Sequence, residues 1–207
     1  MDIGIVGTGN VAQAVARGWV AAGHNVVLGS RVPEGRVGLP APVVSVAEAV
    51  VHGRVVVNAT PGTESVALLT GVGAEAFTGK TILDIAVGFT AEGLSHPRES
   101  LGEEIQRAFP GVSVVKSLAT ITSSVMDDPG RLSEPGTIFV SGDDAAAKAE
   151  VTGLLADLGW PRESVLDLGG IATARGQEHF ALLFLGIAGA LGTHEFNVKV
   201  VPLAPAD

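Results

Sequence analysis

The stretch "GIVGTGNVAQA", residues 4–14, decides how this chain folds, because it joins an apolar strand to a helix through a tight glycine turn. It contains the pattern G-x-G-x-x-A, formed by Gly7, Gly9 and Ala12. The first glycine permits the turn, the second lets the backbone approach a pyrophosphate, and the alanine keeps the helix close to the sheet. The free amides at the helix start favour negative charge. The sequence therefore predicts a dinucleotide site here, the alternative being a packing turn without a ligand.

Strands and helices alternate along the rest of the chain. Several predicted strands are almost continuous in apolar residues, as expected of parallel strands that are buried on both faces. The predicted strands are 2–6, 25–29, 43–45, 54–60, 80–87, 112–118, 136–142 and 164–169, and the predicted helices are 11–22, 46–52, 63–72, 98–108, a helix between a cap at Asp143 and a stop at Gly159, and 171–191. This order predicts an α/β protein with a Rossmann-type doubly wound, mostly parallel sheet and a small C-terminal helical and strand extension.

Composition limits the function classes. The chain has 207 residues with 13 basic and 22 acidic side chains, a net charge of −9, and this acidic balance argues against nucleic-acid binding. It has no cysteine, which excludes disulfides and thiolate zinc sites, and no residue pattern predicts a metal site. No apolar run reaches the roughly 18 residues of a membrane span. A strand that begins at residue 2 leaves no room for a signal peptide, so we expect a cytoplasmic protein with no membrane partner.

The tip of the second predicted strand reads "LGSR", residues 28–31. Proteins that bind NAD usually carry an acidic residue here to hold the ribose hydroxyls. The Ser30 hydroxyl can instead donate to a 2′-phosphate, and the Arg31 guanidinium can bind it in a bidentate manner. Arg36, five residues further on, can close over the same group. The sequence therefore predicts NADP(H) rather than NAD(H), the alternative for Arg31 being a surface side chain at a loop start. We expect an NADP-binding domain at 1–140 and a small part at 141–207 that completes the sheet and a substrate cleft.

The tail helix contains "FALLFLGIAGAL", residues 180–191, which is apolar on all sides. Glycines at 186, 189 and 192 would let another backbone come close. Two interpretations are open: a buried core helix, and the interface of a homodimer. We expect the homodimer, in which the protein partner is a second copy of this chain.

With "GTGNVAQAVARGWVAAGHNVVLGSR", residues 7–31, the chain resembles the family of coenzyme F420-dependent NADP oxidoreductases. The resemblance continues over residues 114–129, 137–160, 166–178 and 192–201. It implies NADP along the strand ends, with a deazaflavin ring stacked on the nicotinamide between the two parts of the chain. By position, it implies that the phosphates are held by Thr8, Gly9, Asn10 and Val11, the 2′-phosphate by Ser30, Arg31 and Arg36, and the nicotinamide side by Thr60, Pro61, Ala86 and Val87. Relatives often carry Asn where this chain has Ala119.

The resemblance makes hydride transfer between NADP(H) and a deazaflavin the leading hypothesis. Such a transfer needs two stacked rings and the exclusion of water, and little else from the protein. Reduction of a small carbonyl or imine, the second hypothesis, needs a proton donor. The candidate catalytic residues are Lys116 and His194, and His179 is a further candidate. Each also has an alternative interpretation without a catalytic role: a solvated strand end for Lys116, and a core or surface histidine for the other two. A non-catalytic NADPH-binding module is the third hypothesis. Cations that could meet an anionic deazaflavin tail are Arg131, Arg175 and Lys199.

Overall fold

A computed structural model describes residues 1–203 and divides them into an eight-stranded sheet, a small hairpin and flanking helices. The strands are β1 (Asp2–Val6), β2 (Asn25–Ser30), β3 (Val43–Ser45), β4 (Val55–Asn58), β5 (Thr81–Asp84), β6 (Phe89–Thr90), β7 (Gly93–Leu94), β8 (Ser113–Ser117), β9 (Ile138–Ser141) and β10 (Val165–Asp167). The helices are α1 (Asn10–Ala21), α2 (Val46–His52), α3 (Gly62–Thr70), α4 (Leu101–Ala108), α5 (Ser123–Met126), α6 (Ala145–Asp157) and α7 (Ala174–Leu191).

The large sheet has the strand order β10-β9-β8-β5-β4-β1-β2-β3. The strands from β3 to β8 in this order are parallel, β9 is antiparallel to β8, and β10 is parallel to β9. The chain moves outward from β1 in both directions, so a topological switch point lies between β1 and β4. The predicted mostly parallel, doubly wound Rossmann-type fold is confirmed. The expected domain boundary at residue 140 falls inside β9, and the division into two parts stays a prediction.

Two apolar cores lie on opposite faces of the sheet. In β4, Val55 and Val57 point into one core and Val56 into the other, and all three are fully buried. This arrangement explains the unbroken apolar runs, because a central parallel strand needs apolar side chains on both faces. Buried Trp19 of α1 also donates from its indole nitrogen to the Leu154 carbonyl of α6, 2.9 Å away, which joins these two helices over the first core.

The start of α6 differs by one residue from the predicted cap. Asp144, not Asp143, caps the helix, because its Oδ1 accepts hydrogen bonds from the backbone amides of Ala146 and Ala147. Asp143 accepts instead from the amide of Ile171 at 3.0 Å and so holds the turn that leads to α7. Two adjacent aspartates were equally good caps by sequence, and only the packing of the following turn distinguishes them.

The C-terminal helix α7 is not a buried core helix in the single chain, so that interpretation is wrong. Leu182, Leu183 and Leu185 are 56%, 58% and 52% exposed. The first three residues of the predicted helix form a short 3-10 turn, and α7 itself begins at Ala174. Within residues 1–203, no helix combines the length and apolar character that a membrane crossing requires.

Candidate functional site

The turn between β1 and α1 uses its two glycines for different purposes. Gly7 has a φ of 129°, and an added Cβ would lie 2.5 Å from the carbonyl oxygen of Ala59, so only glycine fits. Gly9 has an ordinary extended conformation, and an added Cβ would meet no atom within 4 Å. The fold therefore requires Gly7 but makes no demand on Gly9, which leaves open space for a ligand at the start of α1.

A cleft of about 750 Å³ runs along the carboxyl ends of the central strands from this turn. It collects all the predicted cofactor residues except Ala86 and Val87. These are Gly7, Thr8, Gly9, Asn10, Val11, Ser30, Arg31, Arg36, Thr60 and Pro61. A depression of similar size, about 810 Å³, lies between the start of β8 and the residues after β9. It is at the opposite end of the parallel strands, where α/β sheets do not bind their ligands.

One of the side chains after β2, Arg31, meets a carboxylate that the sequence did not predict. Arg31 forms an ion pair with Glu64 of α3 at 2.8 Å, and both side chains line the cleft. Ser30 closes a local turn, since its hydroxyl donates to the Val32 carbonyl and accepts from the Val32 amide. An acidic residue in the first turn of a helix is usually a favourable end charge, so nothing in the sequence indicated that Glu64 would face Arg31.

Arg36 reaches back from the loop over the glycine turn. Its guanidinium donates to the Thr8 hydroxyl at 2.9 Å and to the Val32 carbonyl at 3.0 Å. The two arginines thus lie on the same cleft, as the sequence predicted from their spacing, and Arg36 is hydrogen-bonded to Thr8 of the glycine turn.

Beneath the cleft, polar groups at the ends of β4, β5 and β8 form a buried network. Asn58 pairs in register with Asp84, and Asp84 with Lys116. The Lys116 ammonium is 2.8 Å from Asp84 Oδ2 and 2.8 Å from Glu178 Oε1, and it also donates to the Ala86 carbonyl. Its three protons therefore meet three acceptors. The interpretation of Lys116 as a solvated strand end is wrong, because its side chain is fully buried.

Charge decides the protonation state of Lys116. Burial by itself lowers the pKa of this ammonium, but the carboxylates of Asp84 and Glu178 outweigh it and raise the pKa above its ordinary value. The side chain therefore stays charged near neutral pH and holds its protons firmly. Its catalytic role remains a prediction, and Glu178, a helix residue far along the chain, carried no sequence signal for this contact.

A second, apolar pocket of about 210 Å³ begins at the end of the β5 loop, residues 85–88 between β5 and β6. Its lining residues are Val87, Phe89, Ala119, Ile121, Thr122, Ala181, Phe184 and Leu185. None of these described residues carries a titratable side chain. The segment from Ala119 to Thr122 follows Leu118, which is buried and has a φ of 58°, a rare backbone conformation for a bulky side chain. The chain bends sharply there and enters the pocket wall.

The predicted proton donors lie outside this lining. His194 stacks on the Phe184 ring with centroids 5.9 Å apart, and His179 contacts the His96 carbonyl through Nε2. The catalytic role of His194 remains a prediction. The three candidate cations for an anionic tail are each paired with a carboxylate: Arg131 with Glu195, Arg175 with Glu103, and Lys199 with Glu134.

Comparisons with known proteins agree with this geometry. Residues 2–88 match the family described as NADP oxidoreductase, coenzyme F420-dependent. The chain is 40% identical to an inferred F420-dependent NADP reductase from Arthrobacter sp. FB24, with a TM-score of 0.90 over 98% of this chain and 100% of that one. The chain belongs to the F420-dependent NADP oxidoreductase family. It is therefore an NADP-dependent oxidoreductase, as the sequence predicted.

Two further relatives mark the breadth of the fold. The metalloreductase STEAP3 of Rattus norvegicus is 29% identical over 185 residues, which are 88% of this chain and 37% of that protein, so the chain spans little more than a third of its length. An imine reductase from Myxococcus stipitatus in complex with NADP+ is 18% identical, with a TM-score of 0.68 over 93% of this chain and 63% of that one. This second likeness shows the shared fold alone.

The open space at Gly9 gives a direct test of the dinucleotide site. We expect Gly9→Ala to leave the melting temperature almost unchanged, because the new methyl group meets no protein atom. The same methyl group would lie where a pyrophosphate approaches, so the Kd for NADPH should rise by about tenfold or more, a loss of about 1.4 kcal/mol. Fluorescence titration with NADPH measures the Kd and thermal unfolding the stability. An unchanged Kd would show that no phosphate lies on this turn.

Proposed function

We propose that this protein binds NADP(H) along the cleft and transfers a hydride between its nicotinamide and a deazaflavin of the coenzyme F420 type, which the apolar pocket holds. The observation that carries the proposal is the position of that pocket. Val87 is predicted to border the nicotinamide, and it is also a lining residue of the pocket. A ring placed there would lie beside the nicotinamide, as direct hydride transfer requires.

The described residues fit NADP(H) at each part of the cleft. Gly9 leaves room for the pyrophosphate, and the first amides of α1 would hold it together with Thr8, Asn10 and Val11. Arg31 and Arg36 would hold the 2′-phosphate, with Ser30 at the base of the same turn. Thr60, Pro61, Ala86 and Val87 would border the nicotinamide. Bound NADPH supplies the hydride, and the protein supplies orientation and the exclusion of water.

The chemistry of the pocket favours a deazaflavin over a carbonyl. Reduction of a carbonyl requires a positioned proton donor, and the lining of the apolar pocket offers only the Thr122 hydroxyl. Lys116 lies beneath the β5 loop with every proton engaged, and His194 packs on Phe184 without lining the pocket. A planar ring that accepts a hydride between Val87 and Phe184 needs neither. The methyl side chain of Ala119 keeps this part of the wall apolar.

Spectroscopy distinguishes the three hypotheses. We expect oxidised deazaflavin to lose its visible absorbance when it is mixed with NADPH and the pure protein. If the colour persists while NADPH binds tightly, the deazaflavin assignment is wrong. NADPH consumption with a panel of small carbonyls and imines would then identify a reductase of that class, and no consumption would identify a non-catalytic NADPH-binding module.

A comparison of NADPH and NADH binding tests whether Arg31 binds the 2′-phosphate. We expect Arg31→Ala to weaken NADPH binding by roughly 2 kcal/mol, about thirtyfold in Kd, because a charge-assisted contact to the 2′-phosphate is lost. NADH binding should change little. The matched variant Glu64→Gln releases Arg31 from an exposed ion pair worth up to about 1 kcal/mol, so it should tighten NADPH binding slightly. Equal losses for both nucleotides in Arg31→Ala would contradict the assignment.

We also propose that the chain forms a homodimer through α7. Leu182, Leu183 and Leu185 are more than half exposed within one turn of this helix, an apolar patch that isolated soluble chains rarely present. Leu185 and the half-exposed Phe89 also line the apolar pocket, so a second copy packed on α7 would cover the open side of that pocket.

Light scattering after size exclusion tests the dimer. The unaltered chain should elute with twice the mass of one chain, and the double variant Leu182→Glu with Leu183→Glu should elute as a monomer. Val37→Glu, in an exposed loop away from α7, is the control and should remain dimeric. A monomeric unaltered chain at micromolar concentration would contradict the interface.

A further inference from the structure

Three titratable side chains, Asp84, Lys116 and Glu178, form what we call the buried triad. Asp84 ends β5, Lys116 lies opposite it on β8, and Glu178 lies in the second turn of α7. Their side chains are 0%, 0% and 3% exposed. Because the Lys116 ammonium contacts both carboxylates at 2.8 Å, the triad joins three elements that are distant in sequence.

On one side, the triad holds the backbone of the β5 loop. The Ala86 amide donates to Asp84 Oδ1 at 3.2 Å, and the Ala86 carbonyl accepts a hydrogen bond from the Lys116 ammonium. Both polar groups of this residue are therefore bound to the triad. The next residue, Val87, lines the apolar pocket, and the Val87–Gly88 backbone packs so closely on Gly62 that an added Cβ at Gly62 would lie 2.4 Å from the Gly88 nitrogen. The loop can move only if these contacts break.

On the other side, the triad fixes α7. The Glu178 carboxylate accepts hydrogen bonds from the amides of Leu101 and Gly102 at the start of α4, at 2.9 and 3.2 Å, and so joins α7 to the first turn of α4. Ala181, three residues further along α7, lies on the same side of the helix as Glu178, and both Ala181 and the next-turn Phe184 line the apolar pocket. The rotation and height of α7, and so the shape of this wall, depend on where Glu178 is held.

Stability alone does not explain why the chain keeps such a triad. Taking ions out of water is costly, and apolar side chains of similar volume often serve a core equally well or better. What an ion pair with full hydrogen bonding does supply is one fixed geometry, because its contacts are directional and an unpaired member is expensive. The fixed geometry of the triad therefore sets the distance between the β5 loop and α7.

We propose that the buried triad is a positioning device that sets the distance between the β5 loop, which borders the nicotinamide, and the α7 wall of the hydride acceptor pocket. This inference rests on the proposed binding of NADP(H) and gives Lys116 a positioning role in place of proton donation. Hydride transfer requires reacting atoms about 3–3.5 Å apart, and a misplacement of about 1 Å can cost about a hundredfold in rate. A rigid connection between the β5 loop and the pocket-lining side of α7 would hold the two reacting rings at this distance.

Two variants test the triad, with one control. Lys116→Met removes the ammonium but leaves two carboxylates buried, so it carries a risk of unfolding. Glu178→Gln keeps the Asp84–Lys116 pair and removes only the charge and one acceptor that hold α7. Ser117→Ala is the matched control, because Ser117 is equally buried beside Lys116 and its hydroxyl donates to the Phe139 carbonyl of β9, away from both walls.

The first measurement needs no hydride acceptor. In Lys116→Met and Glu178→Gln, the Kd for NADPH should stay close to that of the unaltered protein, because the phosphate contacts at Gly9, Arg31 and Arg36 remain. The fluorescence lifetime of the bound nicotinamide should shorten toward that of free NADPH, because its wall is loosened. Ser117→Ala should change neither quantity. This measurement uses only NADPH, so it tests the triad independently of the hydride acceptor. If the unaltered protein fails to reduce deazaflavin, the proposed acceptor is wrong, and the lifetime still tests the triad.

The second measurement is single-turnover transfer from bound NADPH to oxidised deazaflavin. We expect the rate in both variants to fall by about ten- to a hundredfold, with a smaller change in the KM for the deazaflavin. A triad that only stabilises the fold would lower the melting temperature and leave the lifetime and the rate per folded molecule unchanged, which would overturn the proposal. Loss of the fold in both variants would overturn it as well.

Discussion

Parallel pairing of the central strands is the constraint on which the rest of this protein depends. Because β2, β1, β4, β5 and β8 all run in one direction, their carboxyl ends meet at one edge of the sheet. Five short segments that are far apart in sequence are thereby brought side by side, and residues at or just after these ends form the cleft and the buried network next to it. The glycine turn works only in this setting, since Gly7 must pass against the Ala59 carbonyl of the neighbouring segment.

The same edge carries two environments with opposite chemistry. The β1, β2 and α3 end carries charged, exposed side chains, including two guanidinium groups near the glycine turn in a chain whose net charge is −9. The β8 and α7 end is apolar and small, and none of its described lining residues is titratable. In the proposed function, the charged end of NADP(H) would bind at the first and its nicotinamide ring would reach the second. A charged end beside an apolar end suits an enzyme of the F420-dependent NADP oxidoreductase family, because in such an enzyme the cofactor itself carries the reactive group.

Short-range patterns predicted the fold and the nucleotide cleft because both arise from local chemistry. The spacing of Gly7, Gly9 and Ala12 follows from one turn, and the apolar runs of β4 and β5 follow from burial on both faces. Local patterns failed where two options were equivalent within a few residues. Asp143 and Asp144 were both suitable caps, and the tail helix was compatible with a core helix or a dimer interface, of which the exposed leucines in the single chain exclude the first.

By itself, the sequence determined the fold class, the glycine turn and the pair of arginines near it, since each depends on neighbouring residues or a fixed repeat. The tertiary structure alone decided what meets these groups. Glu178 reaches Lys116 across 62 positions of sequence, and Glu64 reaches Arg31 from another helix. Contacts of this kind depend on how helices pack on the sheet, and packing is a property of the whole core that no short window of residues contains.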